Sequence, residues 1–357
     1  MITPTEYGLL GTLLAHSAAA RSNLSTLTQQ ASSGLIADTY AGLGGGASAS
    51  LDLRPQIAGL QTRQANIDAA TTRLNVTQTA MTQAQGIASS FLASLNNLNG
   101  LNASEVDSVA ANARAALGEV ADLLNSKDGN VYVFAGQDTQ NPPVPAAGSI
   151  LSSGFYTQIA ASVAGLATNG AAATAAATLA TAGSNAPGTS PFSAWLSQPA
   201  AALQTPLVET GAGRTQAAGL LASANTAAVS QGGSTTGSYM RDLMRALATL
   251  GSLDPSQLTD PNFAPLIQDT RDSLTGAVSA MATDVGVLGD AQSALTRTQT
   301  QLANTQIALT TQVDHAENVD MAATLSNLTM AQTQLQASYQ LIASLSGLSL
   351  QKYLPGG

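Results

Sequence analysis

The chain has 357 residues, enough for two or three domains, and carries a net charge of −9 with only 12 lysines and arginines. So little positive charge leaves no basic patch for nucleic acid or an anionic membrane surface, and the absence of cysteine excludes a disulfide framework, a thiolate metal site and a cysteine nucleophile. Only 9% of residues are charged and 4% aromatic, so the helices must pack through Ala, Ser, Thr, Gln, Asn and Gly.

The opening Met1-Ile2-Thr3-Pro4-Thr5-Glu6 lacks the positive region of a secretory signal, and Leu9 to Leu14 is too short and Gly-interrupted to be its apolar core. No stretch approaches the roughly 18 apolar residues of a membrane helix, so neither a cleaved signal nor a membrane anchor is expected. From Leu10 the apolar positions Leu10, Leu13, Ala20, Leu24, Leu27 and Ala31 follow one helical stripe, which Gly34 closes. A second helix keeps a seven-residue period through Leu53, Leu60, Ile67, Leu74, Met81, Ala88 and Leu95, with Ile57 and Leu92 on the flanking line. A helix so long cannot fold back on a compact core and must lie along another long helix. Asn99-Gly100-Leu101-Asn102 breaks it, and Ser104-Glu105 opens a shorter helix with Val106, Val109, Ala113, Leu117, Val120 and Leu124.

Lys127-Asp128-Gly129-Asn130 reads as a turn, followed by a β-like run at Val131-Tyr132-Val133-Phe134. From Pro142 to about Gly237 the heptads vanish, and Pro, Gly, Ala and Thr mark an insertion exposed on the outside. Within it a helix is expected over 160–182, strands over 208–212 and 215–221, and a small core anchored by Trp195, the sole tryptophan. Helix returns from Tyr239 to Leu250, with Met240, Leu243, Met244, Leu247 and Leu250 on one face. Asp254-Pro255 and Asp260-Pro261 then mark a loop.

The last helix is expected to run from Ile267 to about Tyr353. Its seam is Ile267, Leu274, Met281, Leu288, Leu295, Leu302, Leu309 and Ala316. It then restarts in a shifted phase at Met321, Leu328, Leu335 and Ile342, beside Leu325 and Tyr339. Met281, Met321 and Met330 fall on seams and read as core. Tyr353 and the leucines before it suit either a core or a hook for a partner.

The ending carries a resemblance. Asp314 and Glu317-Asn318-Val319-Asp320-Met321-Ala322, then Leu335-Gln336-Ala337-Ser338-Tyr339, then Leu345-Ser346-Gly347-Leu348-Ser349-Leu350 up to Tyr353-Leu354, resemble the C-terminus of the bacterial flagellin family. Gln29-Gln30-Ala31-Ser32-Ser33-Gly34-Leu35 resembles that family's leucine-serine-serine-glycine turn, although Ala41-Gly42-Leu43-Gly44-Gly45-Gly46 replaces the aspartate pair that usually follows. The family holds filament subunits and the hook-filament junction protein, hook-associated protein 3. The stretch from Val131 through Phe134-Ala135-Gly136 to Pro142-Pro143 is more similar to the junction branch.

The expected fold class is therefore mainly α: long N- and C-terminal helices paired as a coiled-coil-like rod, with a mixed α/β outer domain inserted between. Residues 1–50 read as an N-terminal assembly helix and Gly-rich connector, 51–136 and 238–312 as the helical rod, 137–237 as the outer domain, and 313–357 as the C-terminal assembly helix. The assembly contacts are expected from Leu10, Leu13, Leu24, Leu27, Leu328, Leu335, Tyr339, Ile342, Leu345, Leu348, Leu350, Tyr353 and Leu354.

No residue pattern points to catalysis. His16 and His315 each lack a second imidazole at i+4. Asp314, Glu317 and Asp320 fall at i, i+3 and i+6, where a solvated acidic face is a commoner cause than a shared cation. Gly42 to Gly46 has no following Lys-Ser or Lys-Thr and reads as a flexible connector. No Gly-x-Ser-x-Gly or His-Glu-x-x-His motif occurs. The expectation is a structural subunit with no cofactor and no metal.

The resemblance implies self-assembly, export unfolded through the flagellar apparatus to an extracellular position, a cytoplasmic export chaperone, and a neighbouring hook-associated protein and flagellin as partners. Roughly the first 40 and last 40 residues are expected to be disordered in the free monomer and to fold on incorporation. A filament subunit is the nearest alternative, and the paired seams alone would also permit a secreted coiled-coil adhesin or translocator.

Overall fold

The computed structural model describes residues 4–96, 102–211, 214–217 and 219–351. It is mainly α, 72% helix against 4% strand, with long helices at both ends of the chain and a small mixed region between them. Residues up to Thr62 together with those from Leu302 onward form one compact unit, and Arg63 to Gln301 form a second.

Helix α1 (Pro4–Ser33) ends at Gly34, whose φ of 74° is the left-handed conformation that a glycine after a helix supplies without a Cβ clash. The residues expected to form a flexible connector make a 3-10 turn at Tyr40–Leu43 and run straight into α2 (Gly46–Asn96). The heptad positions of α2 are buried at Leu60, Ile67, Leu74, Met81, Ala88 and Leu95, while Leu53 is half-buried. Ala70, Thr77, Ala84 and Phe91 fill the intervening line of the same face, so mostly large residues alternate with mostly small ones.

Helix α8 (Phe263–Glu317) repeats the scheme. Ile267, Leu274, Met281, Leu288 and Leu295 are buried, with Thr270, Ala277, Asp284 and Ala291 between them, and Leu302 and Leu309 are half-buried. Within the second unit Gln292 Nε2 donates to Asn75 Oδ1 at 2.9 Å, and one heptad further along Gln299 Nε2 donates to Asp68 Oδ1. One residue number rises by seven as the other falls by seven, so α2 and α8 run antiparallel in register.

A single last helix does not form. α8 stops at Glu317 and α9 (Met321–Gln351) begins after Asn318–Asp320, with the Asp320 carboxylate accepting from Ala322 N (2.9 Å) and Ala323 N (3.1 Å) as an N-cap. The break falls where the sequence seam changes phase, so the slip is resolved by restarting the helix rather than by unwinding a continuous one.

In the second unit, Asn102 and Glu105 form a capping box at the start of α3 (Ala103–Leu124). The following β-like run pairs over two residues only, β1 (Lys127–Asp128) with β2 (Val131–Tyr132). The helix expected over 160–182 is interrupted: α4 (Gly154–Ala164), α5 (Leu166–Asn169) and α6 (Ala171–Gly183) are divided at Gly165 and at Gly170, whose φ is 82°. A hairpin of β3 (Leu207–Gly211) and β4 (Arg214–Ala217) follows. Its second strand is shorter than expected, and Ala212 lies outside the described residues.

Helix α7 (Tyr239–Gly251) departs most from the reading of one apolar face: every residue in it is buried, Arg241, Asp242 and Arg245 included. α3, α4 and α6 all pack on it, so it needs apolar cover on all sides and partners for its charges. Trp195, expected to anchor a core, is half-buried with its ring against Gly136.

Candidate assembly surfaces and the joint of the terminal helices

In the first unit α1 and α9 pair. Leu13, Leu24 and Leu27 on α1 and Leu328, Leu335 and Ile342 on α9 are half-buried. Among the described side chains the fully covered positions are small or polar: Ser17, Thr324 and Ala331. Arg21 adds a cation–π contact, its guanidinium 5.5 Å from the Tyr339 ring centroid. Leu10 lies in α1, and Leu345, Leu348 and Leu350 lie in α9, but their side chains fall outside the described residues, as do Tyr353 and Leu354 entirely.

Much apolar surface on this pair faces outward. Met321, Leu325 and Tyr339 are exposed, and so are Leu14, Leu341 and Met330, the last at 64% of its surface. Of the three seam methionines only Met281 is core; Met321 and Met330 stand off the buried line, which runs through Thr324 and Ala331. Apolar side chains repeated along two helices and left open in a single chain suit contacts with other chains.

At the base of this pair four chain segments converge. Leu35 and Asn318 form an antiparallel bridge, closed by Ile36 N donating to Glu317 O (2.7 Å) and Val319 N donating to Gly34 O (3.0 Å). Arg54, from the early turns of α2, grips Glu317 with both arms of its guanidinium, Nε to Oε1 at 2.9 Å and Nη2 to Oε2 at 2.5 Å. Ser50 Oγ also donates to Glu317 Oε1. The side chain of Glu317 is only 12% exposed against 56% for Arg54. Hydrogen bonds from Arg54 and Ser50 hold the Glu317 carboxyl below the usual glutamate range, and the same bond to Glu317 raises the Arg54 guanidinium. Gly46, opening α2, sits so close to the end of α8 that a Cβ there would meet Ala316 O at 2.8 Å.

The three acidic residues noted as an i, i+3, i+6 face therefore do separate work. Glu317 closes the joint, Asp320 caps α9, and Asp314 accepts from Asn318 Nδ2 at 3.2 Å. His16 and His315 are exposed. Among the described residues no cluster of histidine, aspartate and glutamate could hold a metal ion, and no helix is long and apolar enough to cross a membrane.

The second unit holds a buried polar network that sequence reasoning missed. Asp284 accepts from the backbone N–H groups of Thr226 (3.1 Å), Ala227 (2.9 Å) and Ala228 (3.0 Å) and from Tyr239 Oη (2.9 Å). Arg241 donates to the carbonyls of Ser223, Ala182 and Ser184 and to Asn185, and stacks 5.0 Å from the Phe192 ring; burial lowers its pKa from the ordinary arginine value. Arg245 pairs with Asp269 at 2.5 Å and donates to Thr178, Ser234 and Ala175. Asp242 accepts from Thr235 and Thr236. These charges tie the backbone of 175–237 to α7 and α8, and every one has its partners. Their sequence signal was scarcity: in a chain with so few charges, a run with Arg241, Asp242 and Arg245 inside an apolar helix calls for an explanation.

Two family models match the chain where these surfaces lie. The bacterial flagellin N-terminal helical region matches residues 12–139 and the bacterial flagellin C-terminal helical region matches residues 272–354, together more than half of the chain. The chain belongs to the bacterial flagellin family. No curated protein matches it significantly. As a flagellin-family protein it is a structural subunit that self-assembles into the extracellular flagellum, and the outward apolar stripe of α1 and α9 falls in the matched regions.

Proposed function

We propose that this flagellin-family subunit is the hook-filament junction protein, a hook-associated protein that joins hook to filament. The observation that carries the reading is the segment from Val131 to Pro143. Its Tyr-x-Phe-Ala-Gly core resembles the junction branch more than filament subunits, and Tyr132, Phe134 and Gly136 each have a local physical job. Tyr132 N donates to Thr139 O at 3.0 Å, Phe134 is buried, and Gly136, at φ 64°, lies under the Trp195 ring where a Cβ would come within 2.6 Å.

In this role residues 1–50 and 313–357 are the assembly segments and 137–237 is the outward region. The neighbours are a hook-associated protein on one side and flagellin on the other, with a cytoplasmic chaperone escorting the chain to the flagellar export apparatus. The leucines of α1 and α9, with Tyr339, carry the contacts between subunits, and the α2 and α8 seams hold each subunit together. Immunogold labelling of purified flagella with an antibody to residues 142–237 tests the assignment. One narrow band where hook meets filament supports it. Label along the whole filament makes the chain a filament subunit instead, and no label on flagella returns the question to a secreted coiled-coil protein.

A further inference from the structure

Residues 225–237 form a strap across two helices, and carboxylates hold both of its ends. Asp284 of α8 takes the backbone N–H groups of Thr226, Ala227 and Ala228, and Asp242 of α7 takes Thr235 and Thr236. Between these ends the strap presses directly on α8, where a Cβ on Gly276 would come within 2.2 Å of Gln231 O. Ser230, the residue before Gln231, donates its N–H to Gly237 O at 3.3 Å, which brings it beside Ser238, the N-cap residue of α7.

Ser273 completes the group. It lies three residues before Gly276 on α8 and four after Asp269, the spacings of neighbours on one helix face. Asp269 pairs with Arg245 of α7, and the same guanidinium donates to Ser234 O in the strap. Ser273 is therefore flanked by two places where α8 is tied to the strap, directly at Gly276 and through Arg245 at Asp269.

Ser230, Ser238 and Ser273 are 2%, 6% and 4% exposed, and none of their hydroxyls has a hydrogen-bond partner among the described residues. Ser238 does not cap α7 with its side chain. Each buried hydroxyl without a partner carries a desolvation penalty, and three gathered at one crossing point call for a partner they share. The chemistry of the group names that partner. The neighbouring charges Asp242, Arg245 and Asp284 are already matched, and the three serines are neutral groups that can each donate or accept. A water molecule donates to two such oxygens and accepts from the third, and about three hydrogen bonds is the usual complement of an interior water.

We propose that Ser230, Ser238 and Ser273 form a buried water site that fastens the strap to α7 and α8. The water is a third fastening of the strap, between the Asp284 and Asp242 ends. The site belongs to the second unit and is the same whether the subunit serves the junction or the filament.

Urea denaturation of the full-length chain tests this with Ser230→Ala, Ser273→Ala and the double variant, since each change removes a hydroxyl and nothing else. Loss of one arm is expected to raise the unfolding equilibrium constant about fivefold, the usual worth of one hydrogen bond. The arms share one molecule, so the double variant is expected to stay close to the single ones and well short of the product of two independent losses, about 25-fold. Water–amide cross-relaxation in NMR gives the direct reading. The N–H groups of Ser230 and Ser238 are expected to sense a long-lived water, and Ser273→Ala is expected to remove that signal from both. The remote substitution matters because proton exchange through a residue's own hydroxyl gives a water signal that Ser273→Ala leaves untouched. Single variants at least as stable as wild type, a double variant equal to the product of the singles, or a water signal that is absent or survives Ser273→Ala would each overturn the proposal.

Discussion

Among the described residues, Asp284 is the buried acid that the most backbone groups of the second unit lean on. It lies inside α8 with no accessible surface and accepts from three consecutive backbone N–H groups and one tyrosine hydroxyl. Asp284→Ala leaves four donors without acceptors. At about 1 kcal/mol each for partly buried donors, and allowing for water reaching the Thr226–Ala228 backbone, the loss is about 3 kcal/mol, a large part of a typical folding free energy of about 5–15 kcal/mol. Asp284→Asn keeps shape and one oxygen acceptor but turns an N–H₂ toward donors, so it loses about 2 kcal/mol. Urea denaturation followed by Trp195 fluorescence reads both, because Trp195 lies in the same compact unit. The midpoints should fall in the order wild type, Asn, Ala. A loss under about 1 kcal/mol for Asp284→Ala would mean that the strap of 225–237 is not held by this carboxylate, and the account of α7 as a charge-tied core would fail.

Other expectations follow from the same geometry. Burial, then the neighbouring Asp284 charge and the bond to it, push the Tyr239 phenol well above its ordinary value of 10.0. Its raised folded pKa makes a contribution to stability that is complete below pH 10 and is lost as pH climbs from there. A spectroscopic tyrosine titration should therefore leave one tyrosine untitrated until the protein unfolds. Glu317 runs the opposite way. Its folded pKa is depressed below the ordinary 4.5, so its contribution is present above that value and lost as pH falls through the folded one; limited proteolysis should cut in α1 and α9 faster at low pH, and Glu317→Gln should remove most of that dependence. Gly136→Ala places a methyl against Trp195 at a left-handed backbone angle that favours glycine, and should destabilise by about 2 kcal/mol with a shifted Trp195 emission. Protease treatment of the free monomer should trim α1 and α9 before it cuts the second unit, and equal resistance of both would refute the view that these helices need partners.

The long seams were legible because a heptad repeat writes itself into sequence without tertiary context: Ile67, Leu74 and Met81 are buried in α2, as are Leu274, Met281 and Leu288 in α8. The phase slip after Ala316 was visible too, but not its resolution into a helix end, since that depends on Asp320 capping and on the backbone of Gly34 arriving to bond Val319. Met321 and Met330 were misplaced because the covered line of α9 passes through Thr324 and Ala331, and hydropathy ranks threonine and alanine below methionine. α7 was read as amphipathic for a related reason. Its charges find partners in Thr178 and Ala182 of α6, in Ser223 and in Asp269 of α8, three separate parts of the chain, and no local pattern announces that convergence.

The distribution of strong and weak packing carries a functional argument. Where α2 and α8 hold the subunit together, large aliphatic side chains are fully covered and need nothing more. Where α1 and α9 meet, the large side chains among the described residues are left half-covered or outside, and the covered positions are serine, threonine and alanine. Small residues in that seam allow close approach at little energetic gain, so a favourable term still available lies in Leu14, Leu325, Met330 and Leu341, which another molecule can bury. A subunit built this way is expected to be stable in its second unit before assembly and to complete its terminal helices on assembly. Polymerisation then gains apolar burial that the monomer cannot realise alone.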